Sequence, residues 1–158
     1  MEKFPMTPAG YAQLMAELRN LKEVERPAVI VEIATARDHG DLKENAEYHA
    51  AREKQGFIEG RIQELESVTS RVDVIDTTQF EGITSIRFGA KVEVYAEHND
   101  TQETYFIVGH YEADIKTNRL SIQAPLSRSL IGKVVGDVVK VTTPGGQKSY
   151  EIISVSYK

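Results

Sequence analysis

Two carboxylates, Asp41 and Glu44, stand one helical turn apart within residues 37–48, which read Arg-Asp-His-Gly-Asp-Leu-Lys-Glu-Asn-Ala-Glu-Tyr. Carboxylates at that spacing can jointly offer oxygen ligands to a hard cation such as magnesium, or orient a water for hydrolysis. Two of them do not complete a magnesium shell, so water, substrate or another protein would have to supply the rest. A plainer reading covers the same residues. Asp at an N-cap with Glu three residues later is a variant of the capping box, in which the acids satisfy free amide hydrogens or the positive helix end. The two readings are compatible, because a cap that fixes the turn also fixes the acids.

The acids must be held by whatever flanks them. Gly40 is the residue type that takes a left-handed conformation most readily just past a helix end, and Asp41 is a favoured N-cap for the next helix. Helices joined by so short a turn run antiparallel, which places Asp41 and Glu44 at the far end of a hairpin. The first arm opens at Thr7-Pro8, with Thr as N-cap and Pro in the first turn. Tyr11, Leu14, Leu18 and Leu21 then form one apolar stripe. Pro27 removes an amide and crowds the preceding turn, at roughly 3 kcal/mol in an undisturbed helix, so a kink or break is expected over residues 23–26. The pattern resumes with Ala28, Val31, Ile33 and Ala34 and stops at Gly40.

The second arm is predicted over residues 42–70, with Ala46, Ala50, Phe57, Ile62, Leu65 and Val68 on its packed face. Some 28 residues at 1.5 Å rise give a finger on the order of 40 Å long. Acids at such a tip cannot share a cleft with their own globular domain, so any chemistry they do is completed by another molecule.

After Val72 the period changes from 3.6 to 2. Residues 76–81 read as a linker, dividing the chain into 1–76 and 77–158. Strands are expected at residues 85–88, 92–96, 105–108, 120–122, 138–141 and 150–157, with turns at 98–100, 116–118 and 144–146. A short helix follows Pro125 at residues 127–131. The fold class is therefore α+β: an N-terminal antiparallel helical hairpin and a small C-terminal domain built on a mainly antiparallel sheet. Phe88, Tyr105, Phe106 and Tyr111 are read as core. Gly145-Gly146-Gln147 is read as ordinary hairpin chemistry.

Composition narrows the function. A net charge of -5 over 158 residues argues against strong autonomous nucleic-acid binding. The absence of cysteine excludes disulfides and thiolate zinc sites. His39, His49, His98 and His110 lack zinc-ligand spacing and read as surface or turn residues. No signal-peptide or membrane-spanning run is found, so a soluble cytoplasmic protein is expected. Around the acids, Arg37, Lys43 and Arg52 bring positive charge, either for salt bridges to Asp38, Glu47 or Glu53 or for contact with a phosphate backbone. Arg37 and Arg52 flank the turn at similar heights.

Residues 40–53, Gly-Asp-Leu-Lys-Glu-Asn-Ala-Glu-Tyr-His-Ala-Ala-Arg-Glu, closely resemble the tip of the bacterial Gre transcript cleavage factors, and within them the GreA branch. Met6-Thr7 with Gly10, Arg26-Pro27, Phe88-Gly89-Ala90, Ile107-Val108-Gly109, Ile131-Gly132 and Thr143-Pro144-Gly145-Gly146 extend the resemblance along the chain. It implies a coiled-coil hairpin and a C-terminal domain similar to FK506-binding proteins. It further implies a monomer that docks at the rim of the secondary channel of bacterial RNA polymerase. The two tip acids, matching Asp41 and Glu44, would stabilise Mg2+ held mainly by the polymerase, together with the attacking water. The polymerase would then cut the nascent RNA 3′ end of a backtracked complex, giving short fragments. The factor would be an accessory and no enzyme by itself, with no intrinsic cofactor. Arg37, Asn45, Tyr48 and Arg52 would contact RNA or polymerase, and Pro125, Leu126 and Arg128 would take part in rim docking. Other readings stand beside this one: a non-catalytic, inhibitory channel-binding regulator, a stand-alone metal-dependent nuclease, and a peptidyl-prolyl isomerase.

Overall fold

The computed structural model describes residues 3–40 and 44–157. They fall into two units, one spanning Ala9–Val72 and the other joining Lys3–Pro8 to the residues from Asp73 onward. The division thus comes a few residues before position 76, and the N-terminal strand goes with the second unit.

In the first unit, α1 (Pro8–Asn20) opens at Pro8, passes through a π-helical turn at Leu21–Glu25, and continues as α2 (Arg26–Arg37). The Arg26 amide donates to the Leu21 carbonyl, five residues back. Pro27 lies in the first turn of α2, where amides lack an intrahelical partner in any case. The proline is therefore accommodated by a widened turn, and the helix does not break. That turn has a consequence for packing, because a π turn inserts one residue into the repeat. Continuing Leu14, Leu18 and Leu21 in alternating steps of four and three would bury residues 25, 28, 32 and 35. The buried residues are instead Val29, Ile33 and Ala36, each one position later. The predicted face was right for Ile33 and wrong for Ala28, Val31 and Ala34, which are exposed.

α3 (Ala46–Thr69) runs back along this arm and buries Ala51, Ile58, Ile62, Leu65 and Val68. Ala46 and Ala50, expected in the seam, are exposed, and Phe57 is 71% exposed. Ala51, Ile58 and Leu65 are seven apart, so the seam runs through Ile58. Its neighbour Phe57 is turned away by about 100°. Ion pairs join the arms. Arg61 grips Glu17 with two bonds of 2.6 and 3.0 Å, and Arg26 grips Glu59 with two of 2.8 Å. Lys22–Glu66 and Lys54–Glu32 follow at 3.1 and 3.2 Å. These pairs are half-exposed and individually weak, but bidentate geometry helps specify which residues face one another.

The second unit begins with β1 (Phe4–Met6), which pairs with β2 (Val72–Val74). The main sheet has the order β5-β4-β3-β7-β6, from β3 (Lys91–Ala96), β4 (Thr101–Val108), β5 (Arg119–Ser121), β6 (Val138–Thr143) and β7 (Gly146–Ser156). In this sheet β4 and β5 pair in parallel, and the pairs β3–β4, β3–β7 and β6–β7 are antiparallel. Val92, Val94 and Ala96 point into a core shared with Ile86, Ile107, Leu130, Tyr150 and Ile152. Leu130 comes from α4 (Pro125–Leu130).

Residues 85–88 are not a strand: Ile86 bonds through its backbone to Gly132 and Lys133 in the loop after α4, so its burial follows from loop pairing. Phe106 is 39% exposed, because alternation along β4 puts Ile107 inward and leaves Phe106 under the Lys91 ammonium at 6.0 Å.

A buried carboxylate secures the N-terminal strand. The Glu112 side chain is fully buried and accepts from the Thr7 amide at 3.1 Å, the Gly109 amide at 2.8 Å and the Thr7 hydroxyl. Arg119 approaches at 3.8 Å. Gly109 is required by this packing, since a Cβ there would lie 2.2 Å from the Pro5 carbonyl oxygen. Among the described residues, no helix is long and apolar enough to cross a membrane.

Two outcomes follow for the hairpin. Ile58→Ala should lower its stability by about 2–4 kcal/mol, whereas Phe57→Ser should change it by less than about 0.5 kcal/mol, both measured by chemical denaturation. The hydrogen bond and charge of Arg61 lower the Glu17 pKa, and those of Arg26 lower that of Glu59. A depressed carboxylate stabilises the fold above its unfolded value and loses that contribution as pH falls through the folded one. The thermal midpoint should therefore drop as pH falls below the ordinary Glu value of 4.5, less steeply in Arg26→Gln/Arg61→Gln, as followed by circular dichroism.

Candidate functional site at the hairpin tip

α2 closes with tightened bonds. The amides of Asp38, His39 and Gly40 donate to the carbonyls of Thr35, Ala36 and Arg37 at 3.2, 3.1 and 3.4 Å. Gly40 has φ +117°, a conformation that side chains with a Cβ rarely adopt. Asp41, Leu42 and Lys43 lie outside the described residues, so the catalytic and metal-binding expectation for Asp41 rests on the sequence. Glu44 occupies a turn and is exposed.

The N-cap of α3 is Asn45, in an extended conformation with φ -84° and ψ 97°. Its Oδ1 accepts from the Tyr48 amide at 3.0 Å, and its Nδ2 donates to the Ala36 carbonyl at 2.6 Å. The helix thus starts four residues later than predicted. Asn and Asp cap helices about equally well, so propensity by itself does not separate Asp41 from Asn45. With Asn45 as cap the N3 position belongs to Tyr48, and Glu44 precedes the helix. The capping-box reading of Glu44 does not hold. Among the described residues, its carboxylate forms no hydrogen bond or ion pair. It borders an open hollow of about 400 Å³ shared with His39, Asn45, Ala46 and Glu47.

Among the described residues around Glu44, several side chains are paired with one another. His39 Nδ1 lies 3.0 Å from Glu47 Oε2, a second link between the arms and one that sequence reading missed by treating His39 as a turn residue. The Arg37 guanidinium sits 5.8 Å over the Tyr48 ring. Tyr48 also meets His49 edge-on at 5.5 Å. Arg52 is exposed one turn beyond Tyr48, on the same helix face. The structure therefore gathers Arg37 and Tyr48 directly and aligns Arg52 with them.

The predicted rim residues sit in the second unit. Pro125 and Arg128 are exposed on α4, whereas Leu126 is half-buried and packs on the sheet core, so it acts mainly as an apolar anchor for the helix. Between them Ser127 is fully buried, and its hydroxyl lacks a partner among the described residues.

Chemically, the tip offers an unconsumed carboxylate on a braced turn, flanked by a cation resting on an aromatic ring. Among the described residues, no three acidic, imidazole or thiol groups converge as a metal site. Glu44 by itself supplies one carboxylate, where magnesium takes six oxygens.

Residues 4–74 match the family model described as "Transcription elongation factor, N-terminal", and residues 81–157 match "Transcription elongation factor, GreA/GreB, C-term". The chain is 60% identical to "Transcription elongation factor GreA" of Ruegeria pomeroyi and 59% identical to the protein of that name from Rhodospirillum rubrum, each over 99% of both chains. Among solved structures it is similar to GreA factor homolog 1 of Thermus thermophilus. That likeness has 25% identity and a TM-score of 0.44, covering 98% of this chain and 99% of the other.

Because Glu44 lies outside the cap, Glu44→Gln should leave hairpin stability within about 0.5 kcal/mol of the native value, while a capping carboxylate would cost about 1 kcal/mol on removal. Thermal unfolding of the two proteins side by side makes the comparison.

Proposed function

Since this chain belongs to the GreA/GreB family of transcription elongation factors, we propose that its hairpin enters the secondary channel of bacterial RNA polymerase and brings the tip acids to the catalytic centre. There it stimulates the polymerase to cleave backtracked nascent RNA, restoring a 3′ end that can be extended. The observation that carries this reading is the state of Glu44: exposed, outside the helix cap, and unpaired among the described residues.

The chemistry is shared between two molecules. Magnesium held mainly by the polymerase would supply the Lewis acidity that activates water and neutralises charge on the scissile phosphate. Glu44, with Asp41, would contribute carboxylate oxygens and orient the water for in-line attack. The paired Arg37 and Tyr48, together with the exposed Arg52, provide a cationic and aromatic flank suited to a phosphate backbone and an unstacked base. Asn45 supports this surface from inside the turn. Pro125 and Arg128 provide the exposed part of a docking surface at the channel rim, with Leu126 anchoring it from the core side. The factor acts as a cytoplasmic monomer and as an accessory to an enzyme.

The test uses end-labelled RNA in a backtracked polymerase complex with magnesium. Native protein should accelerate cleavage, and Asp41→Ala or Glu44→Ala, folded and still binding, should lower the maximal rate on the order of 100-fold. Cleavage without polymerase would point to a stand-alone nuclease. Binding that slows transcription without cleavage would point to an inhibitory regulator.

A further inference from the structure

We infer that Asn45 is a positioning residue that acts through Glu44, holding the donated carboxylate at a fixed place relative to both arms of the hairpin. The inference rests on the proposed role of Glu44 as a donated carboxylate and goes beyond it by assigning what sets its geometry.

The side chain of Asn45 is half-buried and engaged at both ends. Its oxygen is held by the Tyr48 amide of α3, and its nitrogen holds the Ala36 carbonyl of α2. Ala36 belongs to the buried seam, 3% exposed, so the anchor on that side is a core position. Glu44 is the residue covalently joined to this crossbar. Its backbone can therefore move little without breaking either the α3 cap or the tie to α2. The other link across the tip, His39 to Glu47, joins side chains that are 57% and 71% exposed and constrains less.

The residue type is informative. Ser, Thr, Asp and Asn all cap helices through a side-chain oxygen. Of these, Asn alone carries an acceptor and a strong donor on separate atoms of one rigid amide. Asp would set a carboxylate against the Ala36 carbonyl, and Ser or Thr would cap α3 without an amide to reach α2. A site that needed only a helix start would be served by any of the four. Holding Glu44 against both arms needs asparagine. Placement matters because a carboxylate displaced by about 1 Å from its productive position loses much of its effect on rate.

The experiment compares native protein, Asn45→Ser and Asn45→Ala in the backtracked-complex cleavage assay, measuring maximal rate and half-saturating factor concentration separately. Asn45→Ser retains a capping oxygen and keeps the helix start, which circular dichroism verifies. Asn45→Ala removes both bonds. The expected result for Asn45→Ser is a maximal rate lower by about tenfold, a half-saturating factor concentration within about twofold of native, and a higher half-saturating magnesium concentration. Combined with Glu44→Asp, which keeps a displaced carboxylate, the loss should be smaller than the product of the single losses.

A native maximal rate in Asn45→Ser overturns the inference. So does a loss expressed wholly as a raised half-saturating factor concentration, or one that multiplies independently with Glu44→Asp, since either marks a direct contact with RNA or polymerase. If native protein itself stimulates no cleavage, the proposed function fails first and the role of Asn45 falls with it. Asn45 failing alone leaves native cleavage intact.

Discussion

One amide side chain spans the two arms of the hairpin where they meet. Asn45 terminates nothing by itself, but it satisfies an otherwise free amide at the start of α3 while binding a carbonyl near the end of α2. The cost of leaving either group unpaired in a partly buried turn is about 1–3 kcal/mol, enough to select this arrangement over a slipped one. From it follow the start of α3 at Ala46, the outward place of Glu44, and the proximity that lets His39 meet Glu47 and Arg37 cover Tyr48. The chemistry proposed for the tip depends on a structural bond that takes no part in it.

Behind the tip, the arms hold together through a narrow seam. A two-helix unit buries one stripe on each helix and has no third layer, so every seam residue matters and everything beside the seam stays wet. The π turn before Pro27 keeps that seam continuous by moving its phase one residue forward, which brings Val29, Ile33 and Ala36 inward. Gly56 and Gly60, mid-helix with open space where a Cβ would go, do not add to its stability. The bidentate grips of Arg61 on Glu17 and Arg26 on Glu59 help specify which residues of the two arms stand opposite.

The second unit solves a different problem. Its sheet has a well-buried core, and it also recruits the N-terminal strand through a carboxylate with no solvent exposure. Glu112 is tolerable there because two amides, a hydroxyl and a nearby guanidinium answer its charge. Breaking one of those contacts leaves a buried charge underserved, which makes the strand before α1 an integral part of this unit.

Much was legible in the sequence because local rules suffice for it. The two helical arms, the turn at Gly40, the change of period after Val72 and most strands of the sheet follow from spacing, capping and alternation. The acidic pair and its resemblance to the Gre tip were also legible, as a string of residue types. What the tertiary structure decided were the choices between locally equivalent options. Asp41 and Asn45 are equally good caps by propensity, and the bond from the Asn45 amide to the Ala36 carbonyl across the hairpin is visible only in the tertiary structure. Phe57 and Ile58 are adjacent apolar residues, and only the opposing arm decides which is buried. The residues of α2 that face α3 depend on one extra residue in a π turn, which no periodicity within α2 reveals. Each of these depends on a partner distant in sequence, and side-chain type and spacing along one strand of chain carry no information about where that partner stands.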